Sequence, residues 1–234
     1  MIRNESVTPY VWSKISGATI VFIAILAIIV ELGIRTTLII PGDATKTASN
    51  LLANEGLFRL SIFMYLILLL GDVIIAIGFY VVLKPVDKNV ALLSAFLRLI
   101  YVAIRGVSQI LLMVGFLILK NANQETMAQG FFEADVYAFS ISLALFFSSH
   151  LFLLGYLAVK SGYVPKLLGY LLYLASFAYL LDNSLRIILV NYEEYKIIIT
   201  AIIFLPALVG ELAFGLWLLL KAKRDTIPYR ASST

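Results

Sequence analysis

Arg98 and Arg105 lie inside VALLSAFLRLIYVAIRGVSQILLMVGFLILK, the stretch from Val90 to Lys120, which is otherwise apolar enough to cross a bilayer. A guanidinium at mid-membrane costs roughly 2.5–3.5 kcal/mol on insertion scales, so each arginine needs a compensating partner. The chemistry open to it is capture of a carboxylate or phosphate through paired N–H bonds, or an ion pair within the protein. Ser94, Arg98, Tyr101, Arg105 and Ser108 or Gln109 recur at steps of three and four. That spacing puts them on one stripe of a helix, which is expected to face protein and not lipid.

Asp72, His150 and Glu211 fall within other apolar runs at comparable depth. With the two arginines they make two acids, two bases and one histidine, which sum to zero with the histidine neutral. They can neutralise one another only if their helices converge, and that convergence is expected. Asp72 is expected opposite one arginine and Glu211 opposite the other. Glu31 with Arg35 and Asp182 with Arg186 form a separate population, acid–base pairs four residues apart that can close on their own helices.

Three functional readings follow. In the leading one, Arg98, Tyr101, Arg105, His150, Asp72 and Glu211 line a pocket that binds or carries a small anionic or lipid-like ligand. In the second, the chain is an intramembrane enzyme using His150 as base with Asp72 or Glu211. In the third, the charges fix helix packing and meet no ligand. Proton coupling through His150 and an acid is a further outcome.

What is missing narrows the chemistry. The single histidine denies a bis-histidine haem, no lysine lies mid-span for a retinal Schiff base, and one histidine with two carboxylates is a poor zinc set. Ser140, Ser142, Ser148 and Ser149 share a helix with His150, but serines in membrane helices mostly serve packing and hydrogen bonding. No cofactor and no metal are expected. With no cysteine, disulfides and thiolate sites are excluded.

The elements that must position these residues are transmembrane helices. Hydrophobic residues make up 62% of 234 and charged residues only 14%, outside the range of ordinary soluble domains. Mean hydropathy is +0.98. The expected fold is an all-α polytopic bundle forming one integral membrane domain over 1–234, with spans near 16–36, 57–83, 90–119, 136–159, 167–190 and 197–220. The first span shows no cleavage pattern and reads as retained. Pro206 marks a kink in the last span, NLLANEGLFRL an interfacial helix, and KNANQETMAQGFFEAD a polar acidic loop. Asp72 and Asp182 invite comparison of the two halves as an inverted repeat, but no run of residues aligns between them.

Basic residues are unevenly placed. Ten (Arg3, Lys14, Lys84, Lys88, Lys160, Lys166, Lys221, Lys223, Arg224, Arg230) fall on the side of the N-terminus and five (Arg35, Lys46, Arg59, Lys120, Lys196) on the other, with three and seven acids respectively. The asymmetry puts both termini in the cytoplasm and requires an even number of spans. The net charge of +4 is thus a matter of topology, and no nucleic acid partner is expected. Tyr80, Tyr156, Tyr163 and Trp217 on one side, and Tyr137, Tyr192 and Tyr195 on the other, read as interfacial belts. Membrane lipids are the expected surroundings.

DVIIAIGFYVVLKPVDKNVALLSAFLRLIYVAI, HLFLLGYLAVKSGYVPKLLGYLLYLASFAYLLDN and NYEEYKIIITAIIFLPALVGELAFGLWLLLK together resemble the bacterial membrane proteins grouped as domain of unknown function 4386. The resemblance runs from about Asp72 to Lys221. It implies a bacterial-type multi-pass protein of the inner (cytoplasmic) membrane and carries no activity with it. On the family pattern Asp72, Arg98, His150, Asp182 and Glu211 fall where such residues recur, while Tyr101 stands where some members have an acid.

Overall fold

The structure, a computed structural model, describes residues 9–222 apart from the side chains of residues 193 and 196–208. Among the described residues all regular structure is helical, in the order α1 (Pro9–Leu38), α2 (Ala44–Ala53), α3 (Glu55–Leu83), α4 (Lys88–Ala122), α5 (Glu125–Lys160), α6 (Lys166–Ile188) and α7 (Tyr192–Leu220). Helices α1, α3, α4, α5 and α6 are each long and apolar enough to cross a membrane, the character of a multi-pass membrane protein. The described apolar part of α7 is Val209–Leu220. Pro206 and the basic residues Arg3, Lys196, Lys223, Arg224 and Arg230 used in the charge count lie outside the described residues.

Neighbouring helices pack as a closed ring, α1–α3–α4–α5–α6–α7 and back to α1, with α2 lying against α5 at one rim. Phe63, Leu66, Leu70 and Ile77 of α3 and Leu93, Phe96, Ile100, Val107 and Ile110 of α4 are exposed on the outside of the ring. In water such stripes would associate; in hydrocarbon they are the solvated face. The polar stripe of α4 points the other way: Ser94, Arg98, Tyr101, Arg105, Ser108 and Gln109 are all buried.

Small residues set how tightly the ring closes. A Cβ on Gly17 of α1 would stand 2.6 Å from the Gly215 carbonyl oxygen and 2.6 Å from the Leu219 nitrogen of α7, backbone atoms that cannot swing aside. Gly155 and Gly169 make the same close approach between α5 and α6, each 2.9 Å from the other's carbonyl by this measure. Gly17→Ala should therefore lower stability by roughly 1–3 kcal/mol, the range for overpacking. Gly130→Ala, with no neighbour within 4 Å, should be neutral or slightly stabilising. Thermal melts of the two variants in detergent check the contrast, and equal melts would reject it.

Ends and connectors follow local rules. Asp87 caps α4 by accepting from the Val90 amide at 3.2 Å, and Lys160 of α5 donates to the same carboxylate at 3.4 Å. The Val90 amide first, with Lys160 helping, holds the Asp87 carboxyl below its usual range. The capping contribution is therefore present above the ordinary aspartate range and lost as pH falls through the lowered value. Gly162, at φ +73°, turns the chain out of α5 before Pro165 and α6. Lys14 of α1 donates to the carbonyls of Leu218 (3.3 Å), Leu219 (2.7 Å) and Ala222 (2.9 Å), supplying the orphan acceptors at the end of α7.

Two expectations need correction. The acidic stretch after α4 is not a loop: only Asn123, left-handed at φ 51°, and Gln124 separate α4 from α5, which is helical from Glu125. Ala128, Gln129 and Phe132 are buried on one face of this first part of α5, and Gly115 of α4 admits the Phe132 ring. The interfacial helix falls earlier than expected, at Ala44–Ala53, and its Thr47, Ala48 and Leu51 are buried against protein.

Candidate functional site

Helix α4 carries two charge clusters, one around each arginine, offset along its axis by about 10 Å, the rise of seven residues. Seven residues also separate Tyr65 from Asp72 on the antiparallel α3. The two helices consequently meet at matched rungs, Asp72 against Arg98 and Tyr65 against Arg105.

The Arg98 cluster lies at the centre of the ring. Asp72 Oδ1 accepts from Arg98 Nε at 3.0 Å and Nη2 at 2.5 Å, while Nη1 donates to Glu211 Oε1 of α7 at 2.5 Å and to His150 Nε2 of α5 at 3.1 Å. Arg98 is 1% exposed and His150 0%. Phe79 and Phe147 pack against the guanidinium at 5.8 and 5.3 Å and flank the imidazole. An arginine N–H can only donate, so Nε2 of His150 must be the acceptor and Nδ1 must carry the proton, which it gives to the Ser94 carbonyl at 2.9 Å. His150 is thus neutral, with both ring nitrogens engaged. Four helices are tied through one guanidinium, each of whose three nitrogens makes a hydrogen bond.

The Arg105 cluster is built differently. Its Nε and Nη2, the edge that matches a carboxylate, both donate to the neutral Tyr65 hydroxyl, at 2.9 and 2.6 Å. Nη1 meets Ser108 Oγ at 2.9 Å and Asp135 Oδ1 at 3.2 Å, and Ser108 also donates to Asp135. Arg35 of α1 joins from the side: it pairs with Glu31 at 3.2 Å and donates to Gln109, but its buried Nε has no acceptor. The Arg35 and Arg105 guanidiniums stack on the Tyr65 ring at 4.3 and 4.7 Å, and Phe139 covers Arg105 at 4.0 Å. Glu31, 3.7 Å from Arg105, and Asp135 stand at the rim, with side chains 35% and 13% exposed.

The residues singled out from the sequence are therefore distributed over two clusters. Asp72, Arg98, His150 and Glu211 meet, but Arg105 does not join them; both acids expected to be shared between the arginines go to Arg98. Glu31 and Arg35 do pair, yet they also reach Arg105 and Gln109 and do not close on α1 alone. Asp182 and Arg186 are bridged by the Tyr192 hydroxyl, which donates to Asp182 at 2.6 Å and accepts from Arg186 at 3.2 Å. Tyr101 is buried between the clusters against Phe147. Two further residues, Tyr65 and Asp135, were not singled out. The seven-residue step from Tyr65 to Asp72, and the Ala128–Phe132–Asp135 spacing, were the signals available for them.

Helices α1 and α5 each contain a π-helical stretch, Ile28–Arg35 and Ser142–Phe147, beside these clusters. Such wider turns re-aim side chains and are frequent at functional sites. Among the described residues no group of three or more His, Cys, Asp or Glu is arranged to hold a metal ion. An apolar groove of about 490 Å³ lies elsewhere, between α4, α5 and α6, lined by Leu93, Leu97, Leu145, Ser149, Phe152 and Phe177 among others.

A protein from Archaeoglobus fulgidus described as "Uncharacterized protein" is 34% identical over 164 residues, 69% of this chain and 82% of that one. The similarity thus extends to an archaeon and does not mark the chain as bacterial. No solved structure matches. The family described as "Domain of unknown function (DUF4386)" matches residues 15–222, taking in α1 as well as the stretches whose resemblance was read from the sequence. The chain belongs to the DUF4386 family.

Proposed function

We propose that this protein crosses the cytoplasmic membrane six times, with both termini inside, and binds or carries a small anionic or amphiphilic molecule whose head group is received at Arg105. The count of six adds α7 to the five long apolar helices, in keeping with the closed ring and the excess of basic residues on the side of the N-terminus.

The observation that carries the ligand reading is the Arg105 fork. A guanidinium buried to 1% exposure turns its paired N–H edge toward a phenol hydroxyl, while its carboxylates stand at the partly exposed rim. A carboxylate or phosphate in place of that hydroxyl accepts two parallel charge-assisted bonds, a stronger arrangement than the neutral acceptor supplies. Arg35, with Nε unsatisfied beside it, adds a second positive group. Glu31 and Asp135 act as resident counter-ions that give way when the ligand enters. The Arg98 cluster, with all three guanidinium nitrogens already hydrogen-bonded to protein, links helices in this reading and does not meet the ligand.

Denaturing mass spectrometry of protein purified in mild detergent should reveal a co-purifying anion. Thermal melts should show decanoate or lysophosphatidylglycerol, but not lysophosphatidylcholine, stabilising the protein by about 2.7 kcal/mol at a hundredfold excess over Kd. Arg105→Gln combined with Asp135→Asn keeps the cluster neutral and should abolish that stabilisation. An unchanged response in the double variant, or equal stabilisation by the zwitterionic amphiphile, would reject the reading.

A further inference from the structure

We infer that the Arg98 cluster is a proton-binding site: the Asp72–Glu211 pair holds one exchangeable proton at neutral pH, so that α7 is joined to the ring by a protonation-dependent link. The inference goes beyond anion binding at Arg105 and does not depend on it.

The starting point is a charge count at one place. Two carboxylates, from α3 and α7, converge on a single guanidinium through opposite edges. The other titratable groups packed around them among the described residues are neutral: His150 from α5, whose tautomer is set by Arg98 and the Ser94 carbonyl, and Tyr101 from α4 and Tyr179 from α6, whose rings both pack on Phe147. The face that α1 presents to α7 here is Gly17 and Ile20, which carry no charge. With both acids ionised the cluster would carry one uncompensated negative charge in a site lined by Phe79 and Phe147. Two carboxylates sharing a site do not both ionise when the local countercharge balances only one, and the retained proton belongs to the pair.

A proton fits this place better than a metal cation. Asp72 Oδ1 and Glu211 Oε1 are already acceptors for the guanidinium, leaving one oxygen on each acid, too few for the several oxygens a hard cation requires. The two acids are also held unequally. Asp72 accepts two of the arginine's N–H groups and its side chain is 9% exposed; Glu211 accepts one, which comes from the nitrogen that also serves His150, and is 17% exposed. Glu211 is thus the more exposed and the less tightly held of the two acids. Loss of the proton leaves two carboxylate anions competing for Arg98 and loosens α7 from α3.

Infrared difference spectroscopy of the detergent-solubilised protein tests this directly. At pH 7 the wild type should show a protonated-carboxyl C=O band that shifts in D2O. Both Glu211→Gln and Asp72→Asn should lose it, because either change leaves one carboxylate for one guanidinium. The folding equilibrium constant of the wild type should fall by up to tenfold per pH unit between the ordinary carboxylate range and the pair's apparent pKa, where the folded state binds one proton more than the unfolded state, and level off above it. Both variants should be flat over the same range. No such band in the wild type, a band that survives both substitutions, or stabilisation by sodium in place of protons would overturn the proposal.

Discussion

Arg98→Leu should be the most damaging single substitution in the chain, lowering stability by about 3–5 kcal/mol, because it leaves the Asp72–Glu211 pair inside the ring with no countercharge. The loss has a sign in pH. As pH falls the pair becomes fully protonated and the stranded charge disappears, so the variant should recover toward the wild type in acid and be worst in base. Arg98→Leu with Asp72→Asn and Glu211→Gln removes the charges along with the arginine, and replacing a whole buried ionic group is far milder than breaking it. Size-exclusion profiles and melts in detergent across pH give the measurement. A triple variant as unstable as the single one would show that packing around Phe79 and Phe147, not charge, is what Arg98 supplies.

Much of this arrangement was legible in the sequence because hydrocarbon imposes a simple rule. A charged residue in an apolar run must turn inward, and the three-and-four spacing from Ser94 to Gln109 assigned that inward face before any helix was placed. Partner choice was not legible in the same way. Zero net charge for Asp72, Glu211, Arg98 and Arg105 is a sum, and a sum is satisfied by pairings that space forbids. The structure gives both acids to Arg98 and brings Asp135, hidden in what read as a loop, to Arg105. Helix α5 runs through that acidic segment because Phe132 finds a slot at Gly115, a tertiary contact outweighing a polar composition. The π-helical stretch of α5 was silent for another reason: SLALFF contains neither proline nor glycine to announce it. The matched steps Tyr65–Asp72 and Arg98–Arg105 are the instructive case. Two antiparallel helices sharing a seven-residue polar interval can align both pairs in one register, and that relation needs no coordinates to be noticed.

Tyr65→Phe should separate a packing role for the Arg105 cluster from a binding role. The substitution keeps the ring on which Arg35 and Arg105 stack and removes only the hydroxyl that occupies the Arg105 fork. Two N–H groups of a buried cation then lack an acceptor, a loss expected at or above the upper end of the roughly 1–3 kcal/mol for an unsatisfied buried group. If the cluster only packs, the loss stands whatever is added to the solution. If the fork receives a carboxylate or phosphate, the vacated edge takes the anion without first displacing the phenol. Decanoate or lysophosphatidylglycerol should then stabilise Tyr65→Phe more than it stabilises the wild type, with half-maximal effect at lower concentration. Arg105→Gln placed on top of Tyr65→Phe should remove the anion response, which ties the rescue to the guanidinium and not to general detergent effects. An anion response in Tyr65→Phe no larger than the wild type's would mean that the hydroxyl does not stand in for a ligand, and that the Arg105 cluster is, like the Arg98 cluster, a means of holding helices together.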